Sequence, residues 1–415
     1  MPTDDPRQIR IADYTYALPD ARIARYPLPD RSAARLLQYH DGKISSHTFR
    51  ELPELLPPGT LLIGNQTRVI HARLRFTLPT GKPLEIFCLE PLEPTDYARS
   101  LGSLEPVSWK CLVGGNRRWK SGRISQTIAF DGREVILTAE RTGRADDAFT
   151  VAFSWRSATP VSFGEVVAAA GTIPLPPYLN RESEDDDRQR YQTVFAREEG
   201  SVAAPTAGLH FTPAVMERLR ERDVAFRTLT LHVGAGTFKP VTSDTLGGHP
   251  MHREYFSVPV SLLERLLQQL ASGLPIVSIG TTSMRCLESL FYFGARLVEG
   301  QPFTDHLDQW VASDARSAPV DVSPACSALL DELRRRKLAA FSGYTQLLLT
   351  PAVQPRVVDG LITNFHQPKS TLLLLVASVI GEDWRRVYDY ALGHDYRFLS
   401  YGDSSLLWRR GGGAQ

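Results

Sequence analysis

The sequence predicts an α/β fold: a mostly parallel sheet domain with crossover helices, into which a small all-β, barrel-like domain is inserted. Three observations carry this prediction. Short apolar runs such as Leu61-Leu62-Ile63 and Ile276 to Ile279 alternate with helical stretches in the outer parts of the chain. From 69 to 153 the texture changes to short alternating runs separated by Gly and charged turns. After Phe153 strand and helix alternate again. The expected division is a discontinuous α/β domain of residues 1–68 and 154–415 around a β domain of residues 69–153.

The elements follow in order. Pro19, Pro27 and Pro29 break up the first segment, and Leu56-Pro57-Pro58-Gly59 turns the chain into the strand Leu61-Leu62-Ile63. That strand ends in a turn composition, Gly64-Asn65-Gln66-Thr67. Leu84 to Leu89, Thr127 to Phe130 and Val135 to Thr138 read as strands of the inserted part. Phe163 to Ala170 is expected as a helix, Gly171 to Tyr178 as a rigid Pro-rich loop, Met216 to Arg222 as a helix and Phe226 to Val233 as a strand. Leu262 to Leu270 is a helix by the same reasoning, and Ile276 to Ile279 a buried strand. Thr281 to Phe291 is expected as a helix that begins directly after Gly280. No fixed-period repeat is present, which excludes solenoids and propellers.

Composition narrows the class. The 415 residues, 42% hydrophobic and 22% charged, can bury a sizeable core and exclude disorder, collagen and coiled coil. Lys+Arg 47 against Asp+Glu 46 leaves a net charge of +1, so a polyanion must be held by a local patch. Cys88, Cys111, Cys286 and Cys326 form no C-x-x-C pair, which argues against a zinc ribbon, a redox motif or a disulfide scaffold and for a reducing compartment. The polar start MPTDDPRQIR has no apolar core, and the run from Leu372 to Ile380 is far short of the ~20 residues that span a bilayer. A cytoplasmic monomer with no membrane partner is expected.

Several constellations can carry chemistry. Val277 to Arg285 is a strand, a Gly turn and a helix start, whose free N–H groups and hydroxyls suit a carboxylate or phosphate. Ordinary N-capping by Thr or Ser is the competing explanation. Arg285 and Glu288, at i and i+3, are expected to form a solvated pair. Gly234-Ala235-Gly236 lacks the third Gly of a dinucleotide fingerprint, which leaves a close backbone approach at that turn. His210, His232, His249, His252 and His366 all lie beside Gly, Thr or Pro turns. His249-x-x-His252-x-Glu254 resembles a metal string, but the i+3 spacing and Pro250 argue against a zincin and for polar recognition or acid/base work, a satisfied structural histidine being the competing explanation for any one of the five. Lys110, Arg117, Arg118, Lys120 and Arg123 accompany Trp109 and Trp119 with no acid from Val107 to Ser125, the pattern of phosphate contact with aromatic stacking. A solvated loop is the alternative there, and Glu182 to Asp187 is expected as a surface turn.

Longer strings resemble one family. They are Ala203-Ala204-Pro205-Thr206-Ala207-Gly208-Leu209-His210-Phe211, Leu231-His232-Val233-Gly234-Ala235-Gly236-Thr237-Phe238, Met251-His252-x-Glu254 and Gly280-Thr281-Thr282-Ser283-Met284-Arg285-x-Leu287-Glu288-Ser289. Ile362-Thr363-Asn364-Phe365-His366-x-Pro368-x-Ser370-Thr371-Leu372, Tyr396 to Asp403, Tyr26-Pro27-Leu28, Arg35-Leu36-Leu37 and Asn65-x-Thr67-Arg68-Val69 complete the set. From about Asp13 to Leu407 the chain resembles the S-adenosylmethionine:tRNA ribosyltransferase-isomerase family of the queuosine pathway. Two departures are visible: Gln66 where the family usually has Asn, and Pro351-Ala352-Val353 where it has Pro-Gly-Tyr.

The resemblance implies transfer of the ribosyl part of S-adenosylmethionine to 7-aminomethyl-7-deazaguanine at the wobble position of tRNA, giving epoxyqueuosine, adenine and methionine. S-adenosylmethionine is consumed as ribosyl donor, and no further cofactor or metal is implied. Matched to that chemistry, His210, His232, His252 and His366 are the proton-transfer candidates, with Glu254, Glu288 and Asp403 to offset the sulfonium charge or orient a histidine. Thr281, Thr282 and Arg285 suit the methionine carboxylate. Asn65, Thr67, Arg68, Thr206, Gly234, Gly236 and Asn364 complete the expected substrate contacts, and Lys110, Arg117, Arg118 and Lys120 the tRNA contacts. A metal-dependent hydrolase using His249, His252 and Glu254 and a tRNA-binding module without catalysis are the competing readings.

Overall fold

The computed structural model describes residues 5–120, 122–145, 148–234, 241–314 and 320–411. Ten strands form a large sheet in the spatial order His306–Leu307, Ala340–Thr345, Glu254–Pro259, Ala225–Leu231, Leu61–Asn65, Ile276–Ile279, Gly360–Asn364, Ser404–Trp408, Arg35–His40, Lys43–Thr48. The four strands from Ala225–Leu231 to Gly360–Asn364 are mutually parallel. Antiparallel joints to Glu254–Pro259 and Ser404–Trp408 flank this centre. The sheet is therefore mixed and parallel-rich, where the sequence predicted mostly parallel. An apolar run does not encode its direction, and crossover helices fix only the joints they span.

The central strands are buried on both faces, which explains their unbroken apolar runs. Leu61 and Ile63 share a core with Met284 and Leu287 of the helix Thr281–Val298 and Leu329 of the helix Val322–Arg335. Leu62, Val277 and Ile362 point the other way, onto Phe211 and the helix Pro213–Glu221. Each fully buried Leu or Ile contributes about 1.5–3 kcal/mol, so a one-residue slip, which would exchange the two faces, is strongly opposed.

The second sheet has seven antiparallel strands in the order Gly171–Thr172, Arg73–Thr77, Pro83–Glu93, Val107–Gly114, Ala148–Ser157, Arg133–Ala145, Arg123–Phe130. Arg123–Phe130 curls back toward Arg73–Thr77 without pairing to it. The helix Phe163–Ala170 opens with a Ser162/Glu165 capping box and packs into this sheet's core beside Trp109 and Phe153. Segments as far as Thr172 thus join the second sheet, beyond the expected change at 153. An amphipathic pattern marks a helix without saying which sheet it covers.

Candidate active site

The four parallel strands end on one edge of the large sheet. In open α/β sheets the crevice outside the carboxyl ends is the usual place for a ligand. A cleft lies there, lined by Thr206, Gly280, Thr281, Thr282, Asn364 and His366, with Tyr178 and Tyr191 as aromatic wall. Four expected substrate contacts and one histidine candidate thus converge from three separate segments.

Gly280 makes this geometry possible. Its φ of 86° and ψ of 153° favour glycine, and the turn starts the helix Thr281–Val298 at the strand end. No side chain caps this helix, so the N-capping alternative does not hold. The first-turn amides remain available to an anion beside the Thr281 and Thr282 hydroxyls.

Asn364 is the hub of the cleft floor. Its Oδ1 accepts from Thr206 Oγ1 at 2.8 Å, and its Nδ2 faces His210 Nε2 at 3.2 Å and the Asp403 carbonyl at 3.3 Å. His210 is buried against the Phe49 ring, and burial pushes its pKa down to about 4. His366 hydrogen-bonds Thr363 Oγ1 through Nε2 at 2.9 Å. Its backbone is clamped by the hydroxyls of Tyr16 and Tyr388, and burial lowers its pKa to about 3. Both rings are uncharged at neutral pH.

A second chain of groups sits beside the same edge. Glu254 is buried and ion-pairs with Arg285, and its Oε1 lies 3.1 Å from His252 Nε2. Burial pushes the Arg285 guanidinium down to about 10, which still leaves it charged at neutral pH. The expected solvated Arg285–Glu288 pair is therefore corrected. Arg285 turns to Glu254, and the buried Glu288 accepts backbone N–H groups of Arg356, Val357 and Val358 at 2.7, 3.0 and 3.0 Å. Helical spacing places two side chains on one face but does not reveal what covers that face.

Other candidates prove to hold the scaffold. Asp403 accepts the N–H groups of Arg35 and Arg397 at 2.9 and 2.8 Å, and burial raises its pKa. Asn65 bonds both backbone groups of Leu231, tying two strand ends together. Thr67 is buried in the short strand Thr67–Val69, and Arg68 is exposed, 4.0 Å from Glu199. Gln66, one departure from the family pattern, bonds the Thr228 and Thr230 hydroxyls. His232 is stacked 3.9 Å from the Tyr97 ring, with Tyr255 5.8 Å away on another side, and burial lowers its pKa to about 4. It joins the two sheets and does not line the cleft. Gly234 follows it, and Gly236 lies outside the described residues. Asp187, expected on a surface turn, is buried under a bidentate Arg181 and the Tyr401 hydroxyl.

The basic stretch is only partly as expected. Trp109 and Trp119 are 0% and 2% exposed, with their indole N–H groups donated to Ser100 Oγ and the Gly122 carbonyl, so neither offers a stacking face. Trp109 falls on the inward face of an alternating strand. Lys110 pairs with Glu90 and Arg123 with Glu140, each its register partner on the next strand. Arg117, Arg118 and Lys120 are exposed. Among the described residues no group of three His, Cys, Asp or Glu can hold a metal ion, and no helix is long and apolar enough to cross a membrane. Ala352 and Val353, the second departure, line a separate cavity with Arg409, at the opposite end of the Gly360–Asn364 strand from the cleft.

Sequence reasoning missed Tyr178 and Tyr191 on the cleft wall and Tyr97 over His232. Only the Pro-rich loop before Tyr178 marked any of them as fixed in place.

Fold and cleft define a mixed α/β protein with a cleft at the carboxyl ends of its parallel strands and a second, antiparallel sheet beside it. The family described as "Queuosine biosynthesis protein" matches residues 11–407, and the chain belongs to that family. A relative from Xanthomonas oryzae pv. oryzae, named S-adenosylmethionine:tRNA ribosyltransferase-isomerase, is 40% identical over 97% of this chain and 98% of its own. A relative of the same name from Aromatoleum aromaticum is 37% identical over 97% and 98%. A solved structure of S-adenosylmethionine tRNA ribosyltransferase from Thermotoga maritima aligns over 95% of this chain and 99% of its own, with 28% identity and a TM-score of 0.46.

Proposed function

We propose that this chain transfers and isomerises the ribosyl moiety of S-adenosylmethionine to 7-aminomethyl-7-deazaguanine at the wobble position of tRNA, giving epoxyqueuosine with release of adenine and methionine. The observation that supports it is the meeting of Thr206, Thr281, Thr282, Asn364 and His366 in one cleft at the carboxyl ends of the strands. The uncapped helix start suits the methionine carboxylate, since its amides and the positive end of the dipole favour an anion. Tyr178, half-buried in the cleft wall, offers aromatic surface to adenine.

The chemistry sets three demands. A proton leaves the ribosyl carbon next to the sulfonium, adenine gains one as it departs, and the aminomethyl nitrogen attacks in its neutral form. His366 lines the cleft uncharged at neutral pH, and we assign it the proton taken from bound donor. His210 acts one step removed, through Asn364, as a positioning residue. His252 is held through Nε2 by Glu254, which pairs with Arg285 through its other oxygen, so this ring is fixed in orientation beside the sheet edge. Arg117, Arg118 and Lys120 supply contacts to tRNA phosphates, and S-adenosylmethionine is consumed without a further cofactor.

The test is direct. Incubation with S-adenosylmethionine and tRNA bearing 7-aminomethyl-7-deazaguanine should release adenine in step with tRNA modification. Retained tRNA binding with no adenine would leave a binding module and sink the assignment.

A further inference from the structure

Of the motifs picked out in the sequence, Tyr26-Pro27-Leu28 has no part in the chemistry above. Among the described residues Tyr26 is the only exposed Phe, Trp or Tyr, at 52%. It is also held in place. Its hydroxyl donates to Glu184 Oε1 at 2.8 Å, and its backbone carbonyl accepts from Arg397 Nη2 at 2.6 Å. The Arg181 guanidinium lies over the ring, 4.3 Å from its centroid. Arg181 is itself fixed: it grips Asp187 with two hydrogen bonds of 2.7 and 2.8 Å and donates through Nε to the Arg25 carbonyl at 2.9 Å. With one face under Arg181 and the hydroxyl tethered, the exposure of Tyr26 falls on its opposite face and edge.

The same contacts tie the ring to the cleft wall. Arg181 follows Tyr178 by three residues, and Arg397 bonds the carbonyls of both Tyr26 and Tyr401, the residue after the cleft-lining Ser400. The backbone of residues 22–24 runs beside Phe398, with Ala24 donating to the Phe398 carbonyl and Phe398 to that of Arg22. Tyr178 is half-buried, Ser400 buried and Tyr26 exposed, so Tyr26 stands at the rim. Of the five acids in residues 182–187, four are engaged: Glu182 with Arg75 at 3.0 Å, Asp185 with Arg188 at 3.7 Å, Asp187 with Arg181 and Glu184 with Tyr26. What this rim offers is a flat aromatic face and not a field of one sign.

We propose that the open face of Tyr26 stacks an unpaired base of the anticodon loop, the neighbour of the nucleotide that enters the cleft. This rests on the tRNA substrate proposed above and adds a residue that holds RNA outside the reacting centre. A base that reaches a cleft has to leave the stack of its loop, and its neighbour loses a stacking partner as it goes. An aromatic ring at the rim replaces that partner for whichever base arrives, because every base has a π-face. Pinning the ring matters, since a side chain already fixed loses little freedom on binding. The adenine of S-adenosylmethionine is a poorer occupant, because it enters the cleft with the ribosyl group it leaves.

The experiment measures the Kd of the full chain for an anticodon stem-loop RNA carrying 7-aminomethyl-7-deazaguanine, used intact and with the base removed from the nucleotide on the 5′ or the 3′ side of the substrate base. The proteins are wild type, Tyr26→Phe and Tyr26→Leu, each checked for folding by its unfolding midpoint in urea. Tyr26→Leu should bind the intact RNA about tenfold more weakly, with unchanged salt slope and unchanged KM for S-adenosylmethionine, because stacking releases no counterions and lies outside the donor site. Tyr26→Phe, which keeps the ring and loses only the tether to Glu184, should stay within about twofold of wild type. One of the two abasic RNAs should cost wild type about the same tenfold and cost Tyr26→Leu nothing further, the coupling expected of two groups in contact. Wild-type affinity in Tyr26→Leu overturns the proposal. So does equal loss in the Phe and Leu variants, which would make the tether and not the ring the working part, and so does base removal whose cost simply adds to that of Tyr26→Leu. Tyr26-dependent RNA binding without adenine release would refute the proposed reaction and leave the stacking contact standing; adenine release with wild-type RNA affinity in Tyr26→Leu would do the reverse.

Discussion

Replacing Asn364 by Leu keeps the volume of the side chain and removes every polar contact at the hub of the cleft floor. Three interactions go: the acceptor for Thr206 Oγ1 and the donors to His210 Nε2 and the Asp403 carbonyl. At about 1 kcal/mol net for each, the variant should lose roughly 3 kcal/mol of stability, read as a lower midpoint in urea at unchanged slope. The effect on reaction should exceed the effect on folding. With His210 released and Thr206 unanchored, adenine release should fall at least about 100-fold, the low end of what a positioned acid or base contributes. Asn364→Asp separates the two effects. It keeps an oxygen for Thr206 and places a carboxylate against His210, so the His210 pKa should rise from about 4 and the acid limb of the pH–rate profile should move up with it. Wild-type adenine release in the Leu variant with less than about 1 kcal/mol of lost stability would refute Asn364 as the hub.

Stability should fall as the pH drops below 6.5. His210 and His232 are held down to about 4 and His366 to about 3, so in this window the unfolded chain takes up protons that the native state refuses. Each contributes at most about 1.4 kcal/mol per pH unit, while Glu288 and Asp403, raised by burial, act in the opposite direction. Urea midpoints at pH 5 and 7 check this, and His232→Gln should reduce the slope. Glu288→Gln turns one acceptor into a donor facing the N–H groups of residues 356–358 and should cost about 1–3 kcal/mol with little change in the KM for S-adenosylmethionine. Thr281→Val/Thr282→Val should raise that KM about tenfold and leave tRNA affinity unchanged, as steady-state kinetics with each substrate varied would show. Neutralising Arg117, Arg118 and Lys120 together should flatten the salt dependence of tRNA binding, and an unchanged slope would move that contact elsewhere.

What could be seen in advance depended on how local each determinant is. Ile276 to Ile279, Gly280 and the helix after it follow from an apolar run, one glycine and a helix former, all adjacent in the chain, and the structure has them in those places. Phe163–Ala170 was expected as a helix and is one, opened by the Ser162/Glu165 capping box that the structure adds. The partners of charged groups were not. Glu90 and Glu140 neutralise Lys110 and Arg123 across strand registers, and Glu254 reaches Arg285 from another strand, so a window without acids gave a misleading picture of free charge. The inward turn of Trp109 follows from strand alternation, which a composition of bases and tryptophans does not reveal. Thr206, Thr282, Asn364 and His366 were recognisable as motif residues, yet only the sheet topology brings them to one edge.

Amide hydrogen exchange with and without S-adenosylmethionine tests the location of the site most directly. Bound donor should slow exchange at residues 280–283 and 364–366 and leave the seven-stranded sheet unaffected. Protection confined to that sheet, or to the cavity around Arg409, would contradict a reaction centre at the carboxyl ends of the parallel strands.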